Sequence, residues 1–411
     1  MRVSSVPAAV VLVLALAAYL AENSWTLSRY STRDFPTFYD AAVAVAEGKD
    51  PYDLRALRAI HGERGNPGRQ LFPYIYPPAF AVLLRPLTFL PFFTANRVWA
   101  GLSHLSLAAS LVLLARGFLR HRAPAALQVA LLGSVALLFH PIASTLEHGQ
   151  VNHFLLLLLL AFWMLRRSGR EVAAGVALGV AAVLKMSPAL LVGYALVKRE
   201  RKLALVAVAS GAALWAASMA AGGVAPTFAF FGRALPALGY GGEPPGLFAS
   251  GDVWNGGWNG LSSRLGAALG LPAAVTPIAA YAAALWLLAG FARAVGRARA
   301  PRGEDDGEVA AVIVLMLLLS SWTYHHHFVL LLPVLALLFF RAPPALALAL
   351  TALASVEWSQ AARHWPALDG VLASMPAIIL AALLALLWPR AAAGLLDSAA
   401  ARNGERASGC L

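Results

Sequence analysis

The stretch from Arg33 to Asp53, RDFPTFYDAAVAVAEGKDPYD, concentrates carboxylates and aromatic rings in a chain otherwise rich in Ala, Leu and Val. A carboxylate in such a loop could take a proton from a hydroxyl group, which is the work of a general base. Asp34 opens the stretch and is the first candidate. The alternative for Asp34 is a helix N-cap, because Pro36 and an AAVAVA run follow it. The reserve candidates for the base are Asp40, Glu147 and Asp252.

The composition indicates that a membrane holds these residues. The chain has 411 residues, of which 60% are hydrophobic and 13% charged, whereas a soluble domain carries roughly 25% charged residues. Continuous apolar runs, rather than alternating ones, favour membrane-spanning helices over barrel strands. The net charge of +12 comes mainly from short basic clusters between these runs, a pattern typical of cytoplasmic loops and not of nucleic-acid binding. The one cysteine, Cys410, excludes an internal disulfide.

We therefore predict an all-α polytopic membrane protein, a single domain over residues 1–411, with about twelve segments and both termini in the cytoplasm. The first segment is interpreted as an uncleaved helix rather than a signal peptide. Long extracytoplasmic loops are predicted over residues 22–94 and 222–272, and a disordered cytoplasmic tail over 391–411. The predicted segments lie near 5–21, 95–115, 123–141, 150–165, 171–197 (counted as two), 203–221, 273–292, 308–322, 327–340, 343–357 and 371–389.

Residues 171–197 are the exception among these segments. Basic clusters flank both ends, so one crossing would place one cluster on the wrong side of the membrane. Lys185-Met186-Ser187-Pro188 interrupts the run, and the residue before a proline is disfavoured in a helix. We predict two half-helices that enter and leave on the cytoplasmic side, with Lys185 near the tip, although a single helix stays an alternative.

This topology places the polar motifs on one side of the membrane, the extracytoplasmic one. Nothing in the count of basic residues required that result. The motifs are residues 34–53, 76–78, 147–152, 254–259 and 324–327.

The ordered set of motifs resembles glycosyltransferase family 87. The residues that carry the resemblance are RDFPTFYDAAVAVAEGKDPYD, YPPAFAVLLRPLTFLP, HGQVNHFLLLLLL, AAGVALGVAAVLKMSP and SSWTYHHHFVLLLP. They cover the chain from about residue 30 to residue 340. The resemblance implies a GT-C fold and an enzyme that takes a sugar from a polyprenyl-phosphate carrier, as polyprenyl-phosphate-mannose-dependent mannosyltransferases do.

The resemblance also implies a role for Asp34, which matches the family's catalytic aspartate in the first extracytoplasmic loop. A lipid phosphate leaves as a stable anion, so only the acceptor hydroxyl needs a base and one carboxylate is enough. Attack from the face opposite the phosphate would invert the anomeric centre. No cofactor or metal is expected.

For the donor sugar or its phosphate, the expected contacts are Lys185, His148, Gln150, Asn152, His325, His326 and His327. A lysine within an apolar segment, such as Lys185, is costly unless it is paired or lies in a wet cavity, so it favours a functional role. The alternative is that it snorkels or pairs with a helix end. Residues 148–152 begin a helix, where N–H groups favour an anion, or they only cap and anchor it. Three adjacent helical histidines point about 100° apart, so they do not easily share one metal ion. Packing at the membrane interface is their alternative role.

The expected contacts of the acceptor or its sugar are Tyr39, Asp40, Trp258 and Asn259. Residues 254–259, WNGGWN, offer flat rings and amides that suit a sugar, whereas tryptophans are also ordinary interface anchors, an interpretation that is stronger for Trp254. Tyr76-Pro77-Pro78 is interpreted as a structural turn.

Together these features predict an inverting glycosyltransferase of a bacterial inner (plasma) membrane with an extracytoplasmic active site. It would move a sugar, with mannose preferred, from a polyprenyl phosphate to a lipid or glycan acceptor. The alternative is a transporter or flippase of a lipid-linked sugar, which an internal inverted repeat would favour. No such repeat is evident. A purely structural membrane protein would leave the one-sided clustering of polar residues unexplained.

Overall fold

The computed structural model describes residues 6–28, 32–63, 71–118 and 125–388. Within these ranges the chain is helical and contains no strand, so the all-α prediction is confirmed. The tail predicted for residues 391–411, with Cys410, lies outside the described residues.

The first half of the described chain consists mainly of helices. They are α1 (Val6–Ser28), α2 (Phe35–Ala46), α3 (Leu54–Glu63), α4 (Pro78–Leu84), α5 (Phe92–Phe118), α6 (Ala125–Leu138), α7 (His140–His148), α8 (Asn152–Arg167), α9 (Glu171–Leu184), α10 (Ala189–Val197) and α11 (Arg201–Gly222). A 3₁₀ turn over Arg85–Phe89 continues α4.

The helices of the second half include several short pieces in loops. They are α12 (Ala225–Ala229), α13 (Leu235–Ala237), α14 (Trp258–Ala268), α15 (Val275–Ala298), α16 (Asp306–Leu318), α17 (Leu332–Arg341), α18 (Pro344–Ser355), α19 (Trp358–His364), α20 (Asp369–Leu372) and α21 (Met375–Leu387). A π-helical turn over Phe230–Ala234 lies between α12 and α13, and 3₁₀ turns cover His325–Leu331 and Pro366–Leu368.

The core is organised around α16, in which every residue is buried. A helix that is apolar on all sides needs neighbours on all sides, and α16 packs against α21, α17 and α10. α9 lies against α11 through small residues. A Cβ on Gly175 would come within 2.8 Å of the Leu203 carbonyl oxygen, so this glycine permits the close approach.

By length and composition, four helical stretches among the described residues could cross a membrane: Phe92–Phe118, Arg201–Gly222, Val275–Ala298 and Pro366–Leu387. Two bent pairs raise the number to six if each is one span: Ala126–Leu138 with His140–His148, and Pro344–Ser355 with Trp358–His364. Other predicted segments form apolar helices of 10–17 residues, shorter than the roughly 20 residues of a full crossing. The 49° bend before Pro141, between α6 and α7, interrupts one of the predicted segments.

The predicted interruption of residues 171–197 is present, because α9 ends at Leu184 and α10 begins at Ala189. The two half-helices form a hairpin. Arg302 contacts Glu171 at the start of α9, at 2.5 Å, and Glu200 just after α10, at 3.0 Å. Both outer ends of the hairpin therefore meet at one guanidinium group, and Lys185 lies at the far end.

A buried ion network surrounds this open end of the hairpin. The fully buried Arg166 donates to Glu200 at 2.6 and 2.8 Å and to Asp305 at 2.6 and 3.1 Å. Lys198 donates to Glu308 at 2.9 Å. Arg166 and Lys198 belong to the basic clusters that predicted the topology, and here they also pair with buried acids. A buried carboxylate without such a partner would be costly.

Candidate active site

A cavity of about 290 Å³ lies where four parts of the fold converge. These parts are the start of α2, the α7–α8 junction, the tip of the α9–α10 hairpin and the 3₁₀ turn His325–Leu331. Rings and aliphatic side chains from the long loops form its apolar wall: Phe72, Ile75, Phe230, Leu235, Leu238, Leu247, Phe248 and Trp254. A site with one polar end and one apolar wall suits an amphipathic ligand.

Asp34 lines the polar end of this cavity. It occupies the N-cap position of α2, which was its alternative interpretation, but its side chain makes no capping hydrogen bond. Instead Oδ2 accepts a hydrogen bond of 2.5 Å from Nε2 of Gln150. The carboxylate is therefore directed at the cavity and not at the helix backbone.

The end of α7 fixes the backbone at Asp34. The Asp34 N–H donates to the His148 carbonyl oxygen at 2.9 Å. The next residue, Gly149, ends α7 at φ +66°, and a Cβ there would lie 2.8 Å from Cβ of Thr32. Only glycine meets both demands, a left-handed backbone and no side chain, so this turn brings α7 directly against the residues before α2.

A short chain of hydrogen bonds leads from Tyr76 to the carboxylate. The Tyr76 hydroxyl donates to Oε1 of Gln150 at 2.6 Å, and Gln150 in turn donates to Asp34. Burial raises the pKa of the Asp34 carboxyl above its ordinary value, although nearby His148 and the Gln150 hydrogen bond oppose the rise. A raised pKa makes the carboxylate a stronger base than a solvated aspartate.

Lys185 lines the cavity from the hairpin tip, and its Nζ lies 2.7 Å from Nε2 of His327. The Tyr324 N–H donates to Nδ1 of His327 at 3.2 Å. Nζ is also 5.8 Å from the centre of the Tyr76 ring, so Lys185 borders the Asp34 end of the cavity.

The three consecutive histidines all line the cavity but contact different partners. His325 pairs with Nδ1 of His140 at 2.8 Å, His327 pairs with Lys185, and the ring of His326 lies 4.8 Å from that of His148. Among the described residues there is no group of three or more His, Cys, Asp or Glu side chains placed to hold a metal ion.

His148, Gln150 and Asn152 do not stay together. His148 and Gln150 line the cavity, and His148 Nδ1 pairs with the Ser144 carbonyl oxygen at 2.7 Å. Asn152 is fully buried behind the cavity wall and donates to the His326 carbonyl oxygen at 3.2 Å. It thus anchors the histidine turn, a structural role that differs from the predicted capping of its own helix.

The residues predicted to contact the acceptor lie outside the cavity lining. Tyr39 is buried and donates to the Leu90 carbonyl oxygen, Asp40 is buried against His61 at 2.8 Å, and Trp258 donates to the Ala280 carbonyl oxygen. Asn259 is buried and donates to the carbonyl oxygen of Ser321, a residue of the cavity wall. The prediction of direct contact therefore finds no support from these positions.

Two of the reserve acids are engaged elsewhere. Glu147 pairs with Arg33 at 2.6 Å, with both side chains about half exposed. Asp252 accepts a hydrogen bond from the Trp254 N–H at 3.0 Å, which closes a local turn. Neither acid lines the cavity.

Sequence reasoning missed several lining residues. Tyr76 was interpreted as part of a turn, Trp254 as an interface anchor, and Trp322, Ser320, Ser321 and Glu357 received no role, yet all line the cavity. One feature of the sequence could have identified them. They lie beside Gly, Ser and Asn residues in segments that the predicted topology puts on the same side as Asp34.

Comparison with known proteins identifies the family. Residues 74–321 match the model of glycosyltransferase family 87. This range is more than half of the chain, so the protein belongs to that family and is a glycosyltransferase. Tyr76, Gln150 and Lys185 fall within the matched range, whereas Asp34 and residues 325–327 lie outside it.

Two individual proteins are similar to parts of the chain. A polyprenol-phosphate-mannose-dependent alpha-(1-2)-phosphatidylinositol mannoside mannosyltransferase of Mycobacterium tuberculosis is 30% identical over 149 residues, which is 34% of each chain. The chain thus aligns with about a third of the length of that relative. The crystal structure of ArnT from Cupriavidus metallidurans bound to undecaprenyl phosphate aligns over 93% of this chain and 77% of its own, with a TM-score of 0.42 and 16% identity.

Proposed function

We propose that this protein is an inverting GT-C glycosyltransferase that moves a sugar from a polyprenyl-phosphate carrier to a lipid or glycan acceptor. The observation that carries the proposal is the Asp34 carboxylate, which faces the cavity and is held by Gln150 at 2.5 Å. The preferred donor sugar is mannose, in keeping with the mycobacterial relative. The cavity would open to the extracytoplasmic side of a bacterial inner membrane.

In the proposed reaction the acceptor hydroxyl gives its proton to Asp34 while its oxygen bonds to the anomeric carbon. The bond between that carbon and the phosphate oxygen breaks, and the lipid monophosphate leaves with the electron pair. Such a leaving group needs no proton, so a single carboxylate serves. Entry from the face opposite the phosphate inverts the anomeric centre.

Lys185 is the proposed partner of the donor phosphate. It is the lysine that the hairpin places in the cavity, and the described lining residues include one other cation, Arg33, which pairs with Glu147. An arriving phosphate anion stabilises the ammonium form of Lys185. We propose no metal or cofactor, because the developing phosphate charge meets this lysine and the histidine turn.

The apolar wall of the cavity supports a lipid carrier. Phe72, Phe230 and Phe248 belong to different loops and line the same cavity as Lys185. A polyprenyl chain presents only apolar surface, and removing it from water is favourable at about 25 cal/mol per Å². A nucleotide-sugar donor would leave this wall without a partner.

The test is transfer of labelled mannose from polyprenyl-phosphate-mannose to alkyl mannosides by purified protein. Asp34→Asn keeps the size of the side chain and its contact with Gln150, and we expect it to lower kcat by at least about 100-fold, the usual contribution of a general base. Asp53→Asn is the matched control, because Asp53 is exposed in the same stretch and only accepts the Arg55 N–H.

Equal turnover by wild type and Asp34→Asn, at equal melting temperature, would remove Asp34 as the base. If wild type transfers no sugar from a range of polyprenyl-phosphate donors but moves them across proteoliposome membranes, the protein is a transporter instead.

A further inference from the structure

Three loops meet at the open end of the α9–α10 hairpin. They cover residues 168–171, 198–202 and 297–304. Arg302 of the third loop contacts Glu171 of the first at 2.5 Å and Glu200 of the second at 3.0 Å. Lys198 of the second loop donates to the Ala300 carbonyl oxygen of the third at 2.6 Å. The three loops therefore form one continuous surface.

This surface separates charge by sign. Of the acids in the three loops, Glu200 is buried in the ion network and Glu171 pairs with Arg302, so Glu304 is the exposed one. The exposed bases, which we call the basic surface, are Arg170, Arg199, Arg201, Lys202, Arg297 and Arg299. Within the described part of the chain none of these six forms an ion pair. Like charges gathered in this way repel one another unless an anion lies among them.

Two of these arginines occupy backbone positions that suit glycine better. Arg199 has φ +60° and Arg299 has φ +48°, the two positive values among the non-glycine residues that the structure describes. Arg199 follows the end of α10, and Arg299 ends α15. Glycine is the usual residue at such helix ends, because a side chain strains the left-handed backbone. An arginine at both positions indicates that the side chain has a use apart from the fold.

Exposed apolar side chains continue from the basic surface along α11. Arg201 begins this helix, and Leu205 and Val208 follow it at a spacing that places all three on one face. Leu205 is 68% exposed and Val208 58%. Because α11 is long and apolar enough to cross a membrane, this face suits contact with lipid. Bases that continue into an apolar stripe match a phospholipid, whose phosphate lies beside its acyl chains.

We infer that the basic surface binds an anionic phospholipid of the adjacent membrane leaflet. Guanidinium groups donate pairs of hydrogen bonds to phosphate oxygens, and an acyl chain packs along Leu205 and Val208. A zwitterionic lipid carries its own cation and leaves the positive charge of the surface uncompensated. A nucleic acid would meet the bases but not the apolar stripe. The inference does not depend on sugar transfer, since none of these residues lines the cavity.

The experiment compares two lipids by native mass spectrometry. Purified protein in a non-ionic detergent is titrated with dioleoylphosphatidylglycerol and with dioleoylphosphatidylcholine, which have the same acyl chains and differ in net charge. We expect wild type to bind the phosphatidylglycerol at least about 10-fold more tightly, the effect of two or more bases beside an anionic headgroup.

The decisive variant combines Arg199→Gly with Arg299→Gly. Glycine suits both backbone positions, so we expect the melting temperature to stay level or rise while the preference for phosphatidylglycerol falls by about 10-fold. A variant that only disturbed the fold would lower both. Arg55→Gln with Arg58→Gln is the matched control, because these two exposed arginines belong to α3, and it should keep the wild-type preference.

A second double variant covers poor folding of the first. Arg201→Gln with Lys202→Gln changes two exposed residues of the first turn of α11, and it should lose the preference to a similar extent.

Equal affinity of wild type for the two lipids overturns the inference, as does an unchanged preference in the folded double variants. Loss of the preference in the α3 control also overturns it, because the effect then follows net charge and not this surface. Displacement of phosphatidylglycerol by an equimolar amount of glycerol 1-phosphate overturns it as well, since the surface would then bind a soluble phosphate and not a lipid.

Discussion

At the scale of single residues, Asp34 combines a position at the start of α2 with a side chain that lines the cavity. It lies at the N-cap position of α2, yet its carboxylate bonds to Gln150 and faces the cavity. The N-cap position sets the backbone, because the helix must begin where the α7 turn holds the Asp34 N–H. The side chain is thereby free for chemistry.

The hydrogen bond from Gln150 gives a prediction for the pH dependence of kcat/KM. A donor to the ionised carboxylate lowers the pKa of Asp34, and burial raises it. Gln150→Leu removes the donor, so the pKa rises further and the acid limb of the pH profile moves to higher pH. Tyr76→Phe should move it less in the same direction, because Tyr76 acts through Gln150.

The control for this experiment is Gln128→Leu, which replaces a buried glutamine of α6 outside the cavity lining. Its profile should superimpose on that of wild type. A profile of Gln150→Leu that stays in place, or moves to lower pH, would contradict the role of Gln150 in tuning the base.

At the scale of elements, the α9–α10 hairpin connects the ion network to the cavity. Its outer ends are joined through Arg302, and its tip presents Lys185 to His327. α9 has 14 residues and a rise of 1.5 Å per residue, so about 21 Å separate the joined ends from the tip. The position of Lys185 in the cavity therefore depends on the ion pairs of Arg302 at the opposite end of the hairpin.

We predict that Arg302→Ala raises the KM for polyprenyl-phosphate-mannose several-fold and leaves the KM for the acceptor nearly unchanged. The reason is that Glu171 and Glu200 lose their shared partner, so the hairpin tip shifts slightly. A small shift is enough to weaken the contact between Lys185 and the donor phosphate. Steady-state kinetics with each substrate varied in turn would measure the effect, and Arg302→Lys should recover part of it.

Arg297→Ala provides the comparison, because Arg297 is an exposed arginine near the end of α15. A loss of activity in both variants, or equal increases in both KM values for Arg302→Ala, would assign Arg302 to general stability and not to the position of the hairpin tip.

At the scale of the whole molecule, polar chemistry is divided between two ends of the hairpin. The cavity with Asp34 is at the tip, and the ion network of Arg166, Glu200 and Asp305 is at the open end. Basic residues at the open end also extend to the surface, as Arg201 and Lys202 do. From the positive-inside rule we predict that this end faces the cytoplasm.

Cysteine labelling tests this orientation. In a Cys410→Ser background, Lys202→Cys and Glu243→Cys each introduce one thiol at an exposed position. A membrane-impermeant maleimide applied to intact cells should label Glu243→Cys, and should label Lys202→Cys only after permeabilisation. The reverse result would place the cavity on the cytoplasmic side and refute the predicted topology.

Much of the fold could be predicted because it depends on local properties. Continuous apolar runs can only be helices in lipid. The hairpin followed from Pro188 and from two flanking basic clusters, both readable without contacts. The number of full crossings was less accessible, because bends such as the one before Pro141 turn one apolar run into two short helices.

The candidate site was accessible only in part. Motifs that belong to one end of the molecule could be grouped, which placed Asp34 and Gln150 together, and Lys185 was predicted separately at the tip of the hairpin. The direction of each side chain could not be predicted within helices that are apolar on all faces. Asp40 lies on α2, whose residues from Phe35 to Val45 are all buried, so no exposed stripe showed that Asp40 points into the core.

The sequence by itself determined that the chain is a helical membrane protein and that the Arg33–Asp53 stretch begins with its best candidate base. The tertiary structure decided which partners that base has, because Gln150 is 116 residues away and only packing brings it within hydrogen-bond distance. It also decided which aromatic rings face the cavity. Composition and periodicity are encoded along the chain, whereas the convergence of loops depends on the relative positions of helices distant in sequence.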